Sequence, residues 1–227
     1  GSFESVASVY GGETKADEVW LVTKRTINGT DYRFVERMDP DTCKMRYEQD
    51  EKTMCYLDAS VLKTGSISTS VTGLDHLNGA SVYALADGKV QGPFTVSGGA
   101  ITLTTAAATV VVGLTFTALL QGVRVVLQLQ DGTSEGRKYK ASRMTVMTYQ
   151  SNGFEMTADS FDASLPWRNA AGNETDIAQR TSAAPKWFPM ACVENRSSDQ
   201  INWTLRSSKP LPVNLLAVEL ALDVFGN

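Results

Sequence analysis

The side chains able to carry chemistry are few in this sequence, and the first to consider is a single histidine. His76 is the one histidine among 227 residues, and it follows Asp75 in the turn-like segment 73–79, GLDHLNG. A serine-hydrolase triad would need His76, with an acid such as Asp75 orienting its ring. Adjacent residues in a turn point apart, however, and the chain has no G-x-S-x-G nucleophile elbow. We therefore interpret His76 as a turn residue between strands.

Carboxylates and thiols are the other groups in the sequence that could carry chemistry. None of the acidic clusters has the spacing of an EF-hand calcium loop: Asp39/Asp41, Glu48/Asp50/Glu51 and Asp159/Asp162. A glycosidase pair needs a spatial separation that a sequence does not show, so solvated loops are the simpler interpretation. The three cysteines, Cys43, Cys55 and Cys192, lack a C-x-x-C spacing and give no zinc or redox signature. We expect no catalytic residue, no metal site and no cofactor, and a Cys43–Cys55 disulfide is disfavoured without a secretory signal.

Composition sets further limits. With 42% hydrophobic residues, the chain can bury a core as one large domain or two small ones. The formal net charge of -4 argues against a basic nucleic-acid-binding patch. The apolar run 215–222 is far shorter than the ~20 residues that span a bilayer, so we expect a buried strand there and no membrane insertion. Gly1-Ser2 is typical of a cloning scar, and we expect the native sequence to start at Phe3 inside a longer protein.

The elements that would position these residues are strands, because hydrophobicity alternates with a period of two along most of the chain. Segments 19–27 and 30–38 alternate and are joined by Asn28-Gly29, which predicts a hairpin with a type I′ turn. Residues 54–61 suggest another strand, and 63–72 a connection containing a weak strand. Segment 73–120 contains short strands separated by glycine turns and is nearly free of charge, which favours a small inserted β domain.

Beyond residue 120 the pattern again favours strands. We expect strands at 123–130 and 137–150, the latter with Tyr139, Ala141, Arg143, Thr145, Met147 and Tyr149 on one face, and 154–158 pairing back. Segment 159–185 has no period and suggests a long surface excursion. Strands are predicted at 201–207 and 215–224, with the proline-containing piece 209–212 as a crossing or an edge. The predicted fold is all-β: an antiparallel β-sandwich or barrel domain of residues 3–62 and 121–227, with residues 63–120 as an inserted small β-barrel or sandwich domain.

Four segments of the sequence, taken in order, resemble the C-terminal region of the tail nozzle (tail tubular protein B) family of short-tailed bacteriophages. Residues 3–9 (FESVASV) and 17–22 (DEVWLV) resemble the family's F-E-S-V-A and D-E-V-W-x-V. Residues 24–29 (KRTING) and 35–38 (VERM) resemble its R-x-I-N-G and I-E-R-M. Residues 73–79, 86–88 and 112–117 look like its small β domain, and 210–219 (PLPVNLLAVE) are similar to its P-L-P-x-x-[VL]-L-A. Segment 159–185 matches nothing in the family pattern.

The resemblance implies a structural subunit rather than an enzyme. It implies a homohexameric ring below the portal and adaptor proteins, located in the virion tail, through which the genome leaves without specific DNA binding. Two alternatives stay open. One is a tail-associated adhesion module that binds a host glycan through Trp167 or Trp187, beside the irregular stretch. The other is a cell-envelope hydrolase that uses the acidic loops.

Overall fold

The protein is built almost entirely of antiparallel β-strands, which confirms the predicted all-β class. The structure, a computed structural model, describes residues 1–11, 17–38, 52–123, 128–129, 132–133, 138–149, 151–158, 161–164, 186–191 and 203–225. The strands of the first half are β1 (Ser2–Val9), β2 (Glu18–Ile27), β3 (Thr30–Arg37), β4 (Asp58–Thr72), β5 (Ser81–Ala86), β6 (Lys89–Thr95) and β7 (Ala100–Leu114). Those of the second half are β8 (Ala118–Gln121), β9 (Gln128–Leu129), β10 (Gly132–Thr133), β11 (Lys138–Thr148), β12 (Glu155–Ala158), β13 (Phe161–Ser164), β14 (Lys186–Ala191), β15 (Trp203–Ser207) and β16 (Leu215–Phe225). Within the described residues, a 3₁₀ turn lies at Asp75–Leu77.

Contacts divide the chain into two compact units, Gly1–Thr115 and Phe116–Asn227. The first unit contains a three-stranded sheet, β1-β2-β3, and a four-stranded sheet, β4-β7-β5-β6. The predicted Asn28-Gly29 hairpin is confirmed: both residues have positive φ, 49° and 77°, as a type I′ turn requires. Asp87-Gly88 between β5 and β6 repeats this geometry, with φ of 46° and 83°.

The hairpin β2–β3 is packed onto the core of the first unit. Ile27, at the end of β2, is 5% exposed and belongs to the same apolar cluster as residues of β4, β5 and β7. Phe34 of β3 packs against this cluster, and the Asn28 side chain lies against Gly79. The tip of the hairpin is thus anchored, whereas β1 is exposed along its whole length.

Two strands of the first unit are longer than predicted. The Ser/Thr/Gly-rich segment 63–72 is not a connection with a weak strand: it is the second part of β4, which runs for 15 residues and pairs with β7. β7 likewise runs unbroken for 15 residues from Ala100 to Leu114. The predicted domain boundary at residue 62 therefore falls inside one strand. The discontinuous arrangement of 3–62 with 121–227 around an insert at 63–120 stays a prediction.

The second unit is a β-sandwich. One sheet has the order β14-β11-β16, the other β13-β12-β15-β8, and a two-stranded ribbon joins β9 to β10. The core takes side chains from both larger sheets, including Met144 and Val146 of β11, Met156 of β12 and Leu205 of β15. The strands predicted at 201–207 and 215–224 correspond to β15 and β16. Most of the expected strand 123–130 and of the excursion 159–185 lies outside the described residues.

Two predictions for β11 and β12 were wrong. A β-bulge at Ser142 in the pairing of β11 with β16 shifts the alternation, so buried Ala141 is followed by buried Met144 and Val146, while Arg143 is exposed. The predicted single face from residue 139 to 149 is therefore broken. β12 does not pair back on β11: it pairs with β13 and β15 in the opposite sheet.

The segment between β15 and β16 forms a buried connection, in agreement with the predicted crossing. Leu211 is 4% exposed, and the carbonyl of Pro212 accepts a hydrogen bond from the Asn152 backbone N–H at 2.8 Å. The Asn214 side chain donates to the carbonyl of Tyr149 at 2.9 Å, and Ser151 Oγ accepts from the Asn214 backbone N–H at 2.7 Å. These bonds hold the proline-containing loop onto the turn after β11.

Candidate interaction surface

The three-stranded sheet of the first unit exposes apolar side chains along both of its outer strands. β2 lies in the middle, so β1 and β3 are the edges. Large exposed hydrophobic residues occur on both edge strands and just beyond β3: Phe3 (74% exposed), Val6 (68%), Val9 (48%), Tyr32 (47%), Val35 (71%) and Met38 (50%). Apolar residues that cluster in this way on a surface indicate an interaction site more than an ordinary solvated face.

The two faces of this sheet differ. The packed face carries Thr23, Arg25 and Ile27 of β2 with their cross-strand neighbours Phe34 and Tyr32, and at the hairpin end it lies against the core of the unit. Thr23 is 2% exposed, and its hydroxyl has no hydrogen-bond partner among the described residues. Successive side chains of a strand alternate between faces, so the residues between these form the open face.

The open face carries ion pairs between neighbouring strands. Lys24 Nζ lies 2.8 Å from Asp31 Oδ2, Arg33 Nε 2.8 Å from Glu4 Oε2, and Arg37 Nη1 2.9 Å from Glu18 Oε1. The hydrogen bond from Arg33 lowers the pKa of Glu4, and the Glu4 carboxylate raises the pKa of Arg33. Lys24, then the Thr26 hydroxyl, lowers the pKa of Asp31.

A more buried ion network ties this sheet to β4. The Arg25 guanidinium, 11% exposed, donates from Nε and Nη2 to the two carboxylate oxygens of Glu36 at 2.9 and 2.7 Å. It also donates from Nη1 and Nη2 to Asp58 at 2.5 and 2.8 Å. Hydrogen bonds to Glu36 raise the pKa of Arg25, and this effect is larger than the opposing effect of burial. One cation between two carboxylates therefore fixes the sheet on the unit.

The predicted role of His76 agrees with its surroundings. It lies in the 3₁₀ turn between β4 and β5, and its Nε2 is 3.3 Å from the Ala59 carbonyl oxygen. Its ring meets Phe34 edge-on, with centroids 6.5 Å apart. Asp75 instead approaches Gly99, at the turn before β7. The two side chains therefore point to different neighbours, and His76 helps to seat the β2–β3 hairpin.

The other candidate residues of the sequence are largely beyond the described part of the chain. Outside it lie Asp39, Asp41, Glu48, Asp50, Glu51, Asp159, Cys43, Cys192 and Trp167. Asp162 falls in β13 and Trp187 in β14. Cys55 carries a free thiol, 2.9 Å from Ser60 Oγ. Within the described ranges, no three acidic, histidine or cysteine side chains are grouped so as to hold a metal ion, and no helix is long and apolar enough to cross a membrane.

A shallow pocket of about 190 Å³ lies where β4 bulges away from β7, and sequence reasoning did not anticipate it. Lys63, Ser66 and Ser70 are among its lining residues, together with Ala107 on β7. Ser68 Oγ, also on its wall, accepts from the Ser70 backbone N–H at 3.0 Å, so the bulge satisfies part of its own polar lining.

No family model matches the chain, and no curated protein matches it. The β1–β3 sheet, with its exposed edges and apolar side chains, is the most distinctive surface of the first unit, and its strands correspond to two of the four segments that resemble the phage nozzle family.

Proposed function

We propose that this chain is a structural subunit of the tail nozzle of a short-tailed bacteriophage, where it associates with copies of itself around the genome exit. The observation that carries the proposal is the concentration of exposed apolar side chains on both edges of the β1–β3 sheet. A small three-stranded sheet whose outer strand β1 is exposed on both faces buries little apolar surface by itself. A partner that covers the exposed apolar residues is therefore the best explanation for them.

The charge distribution supports the same function. Each of the cations Lys24, Arg33 and Arg37 on the open face of the sheet is already paired with a carboxylate of the same sheet. A conduit for DNA must not hold the phosphate backbone, because each phosphate bound by a free lysine or arginine adds to affinity. The net charge of -4 acts in the same direction.

Labelling of virions tests the proposal. Antibodies raised against the 227-residue chain should decorate the tail of intact particles of the phage that encodes it, seen by immunogold electron microscopy. Image reconstruction of the tail should then place the β1–β3 sheet and the β-sandwich within the tube wall. Particles whose tails carry no label, while the protein is found free in lysates, would reject a role as a tail subunit.

A further inference from the structure

The last part of β1 is not protected in the way that the edges of the four-stranded sheet are. Exposed sheet edges are normally blunted by lysine, proline or bulges, which prevent pairing with other chains. β6, at one edge of the four-stranded sheet, contains Pro93. β4, at its other edge, contains Lys63 and three register shifts. By contrast, the stretch from Ser5 to Val9 of β1 has no charge, no proline and no bulge.

Exposed apolar residues occur on both faces of β1 and on both faces of β3. On the packed face, β1 presents Phe3 and Val6, while β3 and its continuation present Tyr32 and Met38. On the open face, β1 presents Val9 and β3 presents Val35. Each copy therefore has apolar residues on both edges, and joining the two edges brings these residues next to one another on each face.

Charge does not oppose such a junction. The charged residues of β3 are committed within their own sheet: Asp31 to Lys24, Arg33 to Glu4, Glu36 to Arg25 and Arg37 to Glu18. The uncharged stretch of β1 brings no further charge to that edge. Pairing β1 with β3 therefore buries no unpaired ion. Burial of an unpaired ion is the usual reason why a wrong partner is disfavoured.

We propose that β1 of one copy pairs in parallel with β3 of the next, and that a ring of copies closes these sheets into one barrel whose open face lines the channel. β1 and β3 are both antiparallel to β2, so they run in the same direction. Rotation about a ring axis preserves strand direction and preserves which face points inward, so the junction is parallel and heterologous. The packed face holds the rest of the unit, and this leaves the open face to line the lumen.

The dimensions suit a conduit. A hexameric ring of three-stranded sheets has roughly eighteen strands, and tilted barrels of that size enclose an aqueous channel. With strands about 4.8 Å apart and tilted by about 40°, the distance between opposite backbones is about 35 Å. Side chains extend about 5 Å from each wall, which leaves about 25 Å, enough for a DNA duplex. The ring and its DNA rest on the proposed function, whereas the strand pairing itself does not.

Lysine substitution at each edge tests the pairing. Val6→Lys adds an ammonium group to β1 and Val35→Lys adds one to β3, at positions 68% and 71% exposed. Sedimentation velocity of the 227-residue chain over a concentration series should show self-association of the wild type and about tenfold weaker association of each variant. The matched control is Ile67→Lys, which alters a residue 74% exposed on β4, away from both edges, and should associate like the wild type.

Mixing the two variants gives the sharper result. The Val6→Lys chain keeps an intact β3 edge and the Val35→Lys chain an intact β1 edge, so an equimolar mixture should form one-to-one dimers more strongly than either variant associates alone. Failure of the mixture to dimerise, a wild type monomeric at its highest soluble concentration, or equal association of all variants would overturn the pairing. The nozzle proposal fails separately, if virion tails lack the protein. Labelled tails together with unaffected variants would retain the nozzle and reject this interface.

Discussion

Removing the Arg25 guanidinium should loosen the β1–β3 sheet from the first unit. Arg25→Met keeps the aliphatic stem but deletes four hydrogen bonds, two to Glu36 and two to Asp58. Glu36 is 20% exposed and loses both of its bonds from the guanidinium, whereas Asp58 is 43% exposed and stays hydrated. The cost therefore arises mainly from the carboxylate of Glu36.

The magnitude follows from that difference in burial. Breaking a fully buried ion pair by removing one partner costs about 3–5 kcal/mol, because a charge is left uncompensated. Glu36 is largely but not wholly buried and Asp58 is half-exposed, so we expect a loss of about 2–3 kcal/mol in the free energy that holds the sheet closed. Replacing both partners, as in Arg25→Met with Glu36→Leu, should restore much of it, since no buried charge then remains unpaired.

Hydrogen exchange measured by mass spectrometry resolves this locally. Peptides from β2, β3 and the start of β4 should exchange about 30- to 150-fold faster in Arg25→Met, while peptides of the second unit keep their rates. Arg33→Met is the matched control, because it removes an ion pair to Glu4 from the exposed open face and should change exchange little. If Arg25→Met exchanged no faster than Arg33→Met, the network would be no more than a surface ion pair, and the reasoning would be wrong.

Three further perturbations follow from local geometry. Gly122→Ala places a Cβ inside the Trp203 indole, so thermal unfolding followed by circular dichroism should show a loss of about 1–3 kcal/mol. Gly29→Ala forces alanine to a φ of 77° and should cost about 1–2 kcal/mol in the same assay, although its Cβ would meet nothing within 4 Å. The backbone N–H groups of Ala108 and Thr109 lower the pKa of Asp87 below its ordinary value of 3.8. The ionised carboxylate of Asp87 therefore stabilises the fold above pH 3.8, and this contribution is lost as the pH falls through the lower pKa of the folded state. Asp87→Asn should therefore flatten the acid limb of a stability–pH curve.

Controls separate these effects from general damage. Gly65 lies in open space on β4 and has no positive φ, so Gly65→Ala should leave the melting temperature almost unchanged. A loss at Gly65 equal to that at Gly122 or Gly29 would mean that glycine substitution acts through something other than the contacts and torsions named. For Asp87, an acid limb equally steep in the asparagine variant would show that another carboxylate dominates.

The hairpin turns are the part of the fold that the local sequence predicts best. Asn28-Gly29 joins β2 and β3 as the pattern predicted, and Asp87-Gly88 has the same geometry, because a type I′ turn demands positive φ at adjacent residues and these pairs tolerate it. The second part of β4 was underestimated, since its Ser/Thr-rich residues are exposed on both sides and show no alternation. Its pairing with β7 is a long-range contact that composition does not report.

The candidate surface could be predicted only in part. The alternation of β2 and β3 was evident, and so were the residues that resemble the nozzle family. Whether a strand lies in the middle or at the edge of a sheet depends on topology, so the exposure of Phe3, Val6 and Val35 could not be inferred from the pattern. The Arg25 network was likewise not apparent, because Asp58 is 33 residues away in sequence.

The bulge at Ser142 lets β11 carry one extra residue without turning its core side chains outward. Ser142 is the one extra residue opposite Ala221, and its hydroxyl donates to the Ala221 carbonyl at 3.2 Å. Ala141 and Met144 are three positions apart, so a regular strand would place them on opposite faces, and the bulge keeps both in the core. Deleting Ser142 would leave the two residues two positions apart, and a regular ladder would then bury both. Homologous chains should therefore have either this bulge or a strand that is one residue shorter at this point.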